Sequence, residues 1–185
     1  DYLIFKKNNT LNIKNPNNEN TLFEINDIRD YKLNPLKDRL VYIQNRDTIQ
    51  RVGIIELKDL NDSIILESNN SFQKITWNEL GKGFAFYEKI SEDKHQLLLF
   101  DWEENKLYKL NHDDFLDDFR SLIFAPEGHF NLTISDNLDK VFFSIKDRNI
   151  KIPNPKPNDV EVWHGDSPYT YLQEKVFCSA KDIKL

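Results

Sequence analysis

Tyr31-Lys-Leu-Asn-Pro-Leu-Lys-Asp-Arg-Leu-Val-Tyr42 decides how this chain is read, because two later stretches align with it without gaps. They are Ile75-Thr-Trp-Asn-Glu-Leu-Gly-Lys-Gly-Phe-Ala-Phe86 and Leu132-Thr-Ile-Ser-Asp-Asn-Leu-Asp-Lys-Val-Phe-Phe143, at offsets of 44 and 57 residues. In each, apolar and variable residues alternate up to a polar turn, then alternate again and end on an aromatic ring. Side chains on a strand change face at every step, so alternation on both sides of a turn predicts two half-buried strands. The turn residues Asn34-Pro35, Asn78-Glu79 and Ser135-Asp136 bond their own backbone or pre-set φ. Each unit therefore opens with a β-hairpin.

Two further strand-like runs follow each hairpin. They are Arg51–Leu57 and Ser63–Leu66 in the first unit, and Gln96–Trp102 and Lys106–Leu110 in the second, the latter pair joined by the turn Glu103-Glu104-Asn105. In the third they are Val160–Trp163 and Tyr169–Leu172, joined by His164-Gly-Asp-Ser-Pro168. The third unit is longer because Lys146–Asn158 carries Pro153, Pro155 and Pro157, which cannot join a central ladder. Four short antiparallel strands recurring at roughly 40–50 residues are the pattern of β-propeller blades. The expected fold is thus all-β: a partial ring of four-stranded antiparallel blades.

Working outward, Leu3–Phe5, Thr10–Ile13 and Thr21–Ile25 read as strands of a blade whose beginning is missing, and Lys175–Leu185 as the start of another. The predicted division is 1–27 partial blade, 28–70 blade, 71–112 blade, 113–130 connector, 131–174 blade and 175–185 the next blade's opening. Within the connector, Phe115, Leu116 and Phe119 have helical spacing, so Asp113–Phe124 reads as either a short helix or a loop. Natural rings close with about four to eight blades. Three full blades with partial ends imply a segment of a larger ring, or self-association through open blade edges.

Composition agrees. Thirteen Phe, seven Tyr and three Trp among 185 residues supply a core despite 30% charged residues, and only five Gly favour strands. A net charge of −6 excludes the basic footprint of a nucleic-acid binder and argues against anionic membrane surfaces. No apolar run approaches the roughly 18–20 residues of a membrane span, and no signal peptide is visible. The chain has no Met, so Asp1 is expected to lie downstream of a translation start, in a processed protein or part of a longer one. The lone Cys178 cannot form an internal disulfide and is expected as a half-buried strand residue.

Catalytic patterns are missing. Gly53, Gly81, Gly83, Gly128 and Gly165 include no pair four apart, which excludes the Gly-x-Ser-x-Gly nucleophile elbow. The same spacing excludes a P-loop and a dinucleotide fingerprint. His95, His112, His129 and His164 lack zinc-site spacing, and His112 with Asp113, Asp114, Asp117 and Asp118 lacks the alternating ligands and Gly turn of a Ca²⁺ loop. The sequence thus predicts no catalytic, cofactor-binding or metal-binding residues and no cofactor. Trp77 occupies the slot matched by Leu33 and Ile134 and is expected to pack between blades, with Trp102 and Trp163 packing at strand ends.

The repeats resemble the propeller repeats of the TolB type. The order of landmarks resembles the propeller of bacterial, Bacteroidetes-type serine peptidases of the prolyl oligopeptidase family, S9. The likeness spans nearly the whole chain and is carried by Tyr31–Tyr42, by Ser71–Phe86 with Trp77-Asn-Glu-Leu-Gly81, and by Leu97–Trp102. Its most specific part is Asn158-Asp-Val-Glu-Val-Trp163-His-Gly-Asp-Ser-Pro168 after the Pro-rich loop. The resemblance implies a partner α/β-hydrolase domain carrying Ser, Asp and His, in the same parent chain or another protein, with peptides as substrates and a periplasmic or secreted location. The segment itself would scaffold and gate. Glu103-Glu104 superficially resembles the amine-holding Glu pair of dipeptidyl-peptidase relatives, but falls in an interstrand turn. A stand-alone TolB-like interaction module of the cell envelope is the alternative reading.

Overall fold

A computed structural model of the chain describes residues 2–18, 20–111, 114, 122–127 and 131–147. The strands expected at 160–163, 169–172 and 175–185, the Pro-rich loop beyond 147, and Phe115, Leu116 and Phe119 lie outside them.

The first sheet has three strands in the order β1 (Leu3–Lys7), β2 (Thr10–Lys14), β3 (Thr21–Ile25). Two four-stranded sheets follow, each a meander in chain order. One contains β4 (Ile28–Leu33), β5 (Arg39–Arg46), β6 (Ile49–Glu56) and β7 (Asn61–Ser68). The other contains β8 (Ser71–Trp77), β9 (Gly83–Lys89), β10 (His95–Asp101) and β11 (Lys106–Leu110). All pairings are antiparallel.

The third repeat begins with the predicted hairpin, β13 (Thr133–Ile134) against β14 (Val141–Phe142). Within the stretch read as connector, β12 (Leu122–Phe124) pairs with β15 (Ile145–Asp147).

The repeat is a repeat of backbone as well as of residue type. Asn34, Asn78 and Ser135 each donate their N–H to the carbonyl five residues on, Arg39, Gly83 and Lys140, at 2.9–3.0 Å. Each also accepts from the N–H three residues on, that of Lys37, Gly81 or Leu138. Those three residues share the left-handed conformation, with φ of 58°, 67° and 60°. Gly81 adopts it without a Cβ penalty; Lys37 and Leu138 are held there by the turn.

Why the sheets stack follows from the second strands. In β5, Leu40 and Tyr42 face the first sheet, joining Leu11, Ile13, Ile25, Ile28 and Ile55 in one core. Val41 and Ile43 point the other way, packing with Val52, Ile54, Phe72, Trp77, Phe84 and Phe86. In β9, Phe84 and Phe86 belong to that same core, whereas Ala85 and Tyr87 turn to Phe124, Leu132 and Ile134 of the third repeat. Each strand is thus buried on both faces by a different neighbour. Each fully buried aliphatic or aromatic side chain contributes roughly 1.5–3 kcal/mol, so a sheet separated from its neighbours forfeits the terms that hold it. The outermost strands β7 and β11 contain only exposed and half-buried residues, as an edge should. Consecutive meanders stacked face to face are the blades of a β-propeller.

One glycine is required by this packing. A Cβ on Gly53 would lie 2.3 Å from both the Cζ and hydroxyl of Tyr42, whose buried ring donates a 2.8 Å hydrogen bond to Asp62. Gly53→Ala is expected to cost about 2–3 kcal/mol through overpacking, measured by urea denaturation. Retention of wild-type stability would mean that the Tyr42 ring has room to move.

Candidate functional site

One end of the stack carries the three repeat turns side by side. Asn34 and Asn78, 2% and 1% exposed, are capping groups rather than surface polar residues. The Oδ1 of Asn34 accepts from the N–H groups of Asp38 and Arg39, and that of Asn78 from Lys82 and Gly83. Ser135 Oγ accepts from Lys140 N–H in the same place. Successive turns also touch: Asn78 Nδ2 donates to the carbonyl of Asp136 at 3.2 Å. The same end receives the turns between third and fourth strands, since Leu57 N–H bonds Asp38 O and Trp102 N–H bonds Lys82 O.

At the opposite end, side chains of the second and third strands tie down the links between sheets. Gln44 Nε2 donates to Asn26 O at 2.9 Å. Glu88, at the matching position of the next sheet and 6% exposed, accepts from Ser68 Oγ at 2.5 Å and Asn70 Nδ2 at 2.9 Å. Gln50 Oε1 accepts from Phe72 N–H at 2.7 Å. The buried carboxylate is therefore engaged in the scaffold. Charge-assisted bonds of this kind are roughly twice as strong as neutral ones.

Trp77 is buried where expected, with its Nε1–H donating to Lys32 O of the preceding sheet at 3.1 Å. Trp102 is half-buried, packed against Phe100 and beneath the Arg39 guanidinium, 4.5 Å from its ring centroid. Glu103 and Glu104 sit in the β10–β11 turn: Glu103 pairs with Lys82 at 3.4 Å, and Glu104 accepts from the Tyr108 hydroxyl. They do not form a pair aimed at one ligand. Asp114 Oδ2 accepts from Asn111 N–H. His112, Asp113, Asp117, Asp118, His129, Trp163, His164 and Cys178 lie outside the described residues. Among the described residues, no three His, Cys, Asp or Glu come together as metal ligands. No described helix is long and apolar enough to cross a membrane.

His95, read from the sequence only as a histidine without zinc-site spacing, is enclosed in the fold. It opens β10 opposite Lys89, is 9% exposed, and meets Tyr87 edge-on at 6.5 Å. Its Nδ1 has no hydrogen-bond partner among the described residues. Burial pushes its pKa below the usual imidazole range, and Lys89 and Lys146 push it the same way against a smaller opposing pull from Glu92 and Asp93. A folded-state pKa below the unfolded value means that the neutral ring stabilises the fold above about pH 6.5 and that this contribution falls away on acidification. Wild-type protein should lose melting temperature between about pH 7.5 and 5.5 more steeply than His95→Gln. Parallel slopes would contradict a buried neutral ring.

No family model matches the chain, and no curated protein matches it. Solved structures do. The β-propeller domain of the Trilobed protease from Pyrococcus furiosus, described as having an open velcro topology, superposes with a TM-score of 0.48 at 17% identity, over 74% of this chain and 44% of that one. TolB from Acinetobacter baumannii gives 0.45 at 12% identity, over 76% and 46%. Acylaminoacyl peptidase from Pyrococcus horikoshii gives 0.42 at 16% identity, over 55% and 20%. The chain spans less than half the length of each of these. Likenesses at this level say nothing about activity, and the fold stands on the stacked sheets themselves.

Proposed function

We propose that the chain is a non-catalytic β-propeller segment of a prolyl-oligopeptidase-like serine peptidase, scaffolding a catalytic α/β-hydrolase domain outside it and gating the access of peptides. The division into blades at 28–70, 71–112 and 131–174, flanked by partial blades at 1–27 and 175–185, belongs to this reading, as does a periplasmic or secreted location. What carries it is the landmark order: blade repeats containing Trp77-Asn-Glu-Leu-Gly81, then a Pro-rich loop, then Val160-Glu-Val-Trp163. The buried polar groups support it too. Asn34, Asn78 and Glu88 are consumed in holding turns and links, which is what a scaffold requires.

The parent reading frame tests the proposal. A Gly-x-Ser-x-Gly motif beyond Leu185, followed by Asp and then His, is the expected result. A frame that stops soon after Leu185 would point instead to a stand-alone TolB-like interaction module. The isolated chain should hydrolyse no peptide substrate, and measurable turnover would overturn the assignment.

A further inference from the structure

Neighbouring sheets meet along their leading strands, β1, β4 and β8. The Trp77 indole of β8 donates to Lys32 O of β4, and Lys32 Nζ donates back to Ile75 O at 3.4 Å. Lys6 Nζ of β1 donates to Arg29 O of β4 at 2.8 Å. This side of the stack faces the axis around which blades are set, and β7 and β11 lie at the rim.

The axial side carries charge of one sign. β1, β4 and β8 contain Lys6, Lys7, Arg29, Lys32 and Lys74 against a single carboxylate, Asp30. All five cations are exposed, and among the described residues none of them forms a salt bridge. Asp30 Oδ1 accepts from the N–H of Tyr31 at 2.8 Å. The chain as a whole has a net charge of −6, so this edge reverses the sign of its surroundings.

Two bulges set the cations out. In β4 the pairing passes from Ile28 to Asp30 and leaves Arg29 unmatched. In β8 both Lys74 and Ile75 stand between the pairs Gln73–Tyr87 and Thr76–Ala85, where the partner strand has only Phe86. Ile75 takes the buried place, and Lys74, at φ 59°, is left exposed. A bulge re-aims a side chain at the cost of one ladder position. Here the same device serves a cation in successive sheets.

We infer that the axial edge formed by Lys6, Arg29, Lys32 and Lys74 binds the carboxylates of acidic peptides. Arg29 and Lys32 are three residues apart on one strand, a span of about 10 Å, so an extended peptide with several Glu or Asp meets them in succession while a small anion meets one at a time. Clustered charge of one sign beside low-dielectric walls concentrates ligands of the opposite sign. The inference rests on the propeller-segment reading and names the class of peptide that the segment favours.

An amide-detected NMR titration of the chain with a short Glu-rich peptide, and with the same peptide carrying Gln for Glu, tests this. The Glu peptide should shift amides around Lys6, Arg29, Lys32 and Lys74, more weakly as salt is raised, and the Gln peptide should not. Arg29→Glu with Lys74→Asp should weaken binding roughly tenfold or more; aspartate tolerates the left-handed backbone at that bulge. Lys106→Glu with Lys109→Glu, the same charge change on the rim strand β11, should leave binding unaltered. Equal binding of the two peptides, equal loss in the two variants, or equal shifts from inorganic phosphate would each overturn the inference. None of these results bears on whether a hydrolase domain follows in the reading frame. A frame without one, with the Glu peptide bound at this edge, would overturn the peptidase reading alone.

Discussion

Replacing Trp77 with alanine is expected to lower stability by about 3–5 kcal/mol, the range for a large aromatic side chain lost from a core. The indole is 7% exposed and lies in the core shared by two sheets, with Phe84 at 5.0 Å on its own sheet and Val41, Ile43, Val52 and Ile54 on the one before. Its removal leaves a cavity at the junction and strips Lys32 O of its indole donor. Trp77→Phe should cost roughly half as much, since a ring remains while the hydrogen bond and part of the area are lost. Urea denaturation of the three proteins measures both steps. A near-neutral alanine variant would place Trp77 on the surface and break the assignment of faces in β8 and β9.

Asn78→Ala should be almost as damaging, at about 2–4 kcal/mol, though only a few atoms are removed. The carboxamide oxygen accepts from Lys82 N–H at 2.7 Å and Gly83 N–H at 3.2 Å, while its nitrogen donates to the next repeat's turn. Alanine strands two backbone donors where the side chain was 1% exposed. Asn78→Ser should recover part of the loss, because Ser135 Oγ caps one of the two matching donors, Lys140 N–H, in the third repeat. Amide exchange at Lys82 and Gly83 provides a local readout and should accelerate in the alanine variant. A loss below about 0.5 kcal/mol, the scatter of ordinary surface substitutions, would mean that water replaces the cap.

The hairpins were legible because their cause is local. Alternating apolar residues with Asn or Ser at the turn determine strand, face and reversal within twelve residues. The first halves of β4 and β8 were not legible in this way. Register shifts between Ile28 and Asp30 and between Gln73 and Thr76 break the alternation there, with Lys74 forced to φ 59°. β12 was hidden for a different reason. Leu122–Phe124 is a short apolar run whose partner, Ile145–Asp147, lies more than twenty residues away. Periodicity cannot report a pairing that long.

The same distinction divides the polar residues. Asn34 and Asn78 were visible as turn residues, but their burial was not, since it depends on neighbouring turns. Glu88 reads as a surface carboxylate in Phe-Tyr-Glu-Lys89, and only the fold brings Ser68 and Asn70 to it. His95 follows the polar run Ser91–Lys94 and shows no sign in sequence of being buried beside Tyr87 and opposite Lys89.

Everything rests on Leu40 and Val41 having different neighbours although they are adjacent in one strand. Nuclear Overhauser contacts from these two residues measure that directly. Leu40 methyls should contact Leu11 and Ile13, and Val41 methyls should contact Trp77 and Phe84, with neither set appearing in the other. If Leu40 and Val41 instead shared their neighbours, or if one of them contacted solvent alone, β5 would belong to a two-layer sandwich and the stack of blades would be wrong.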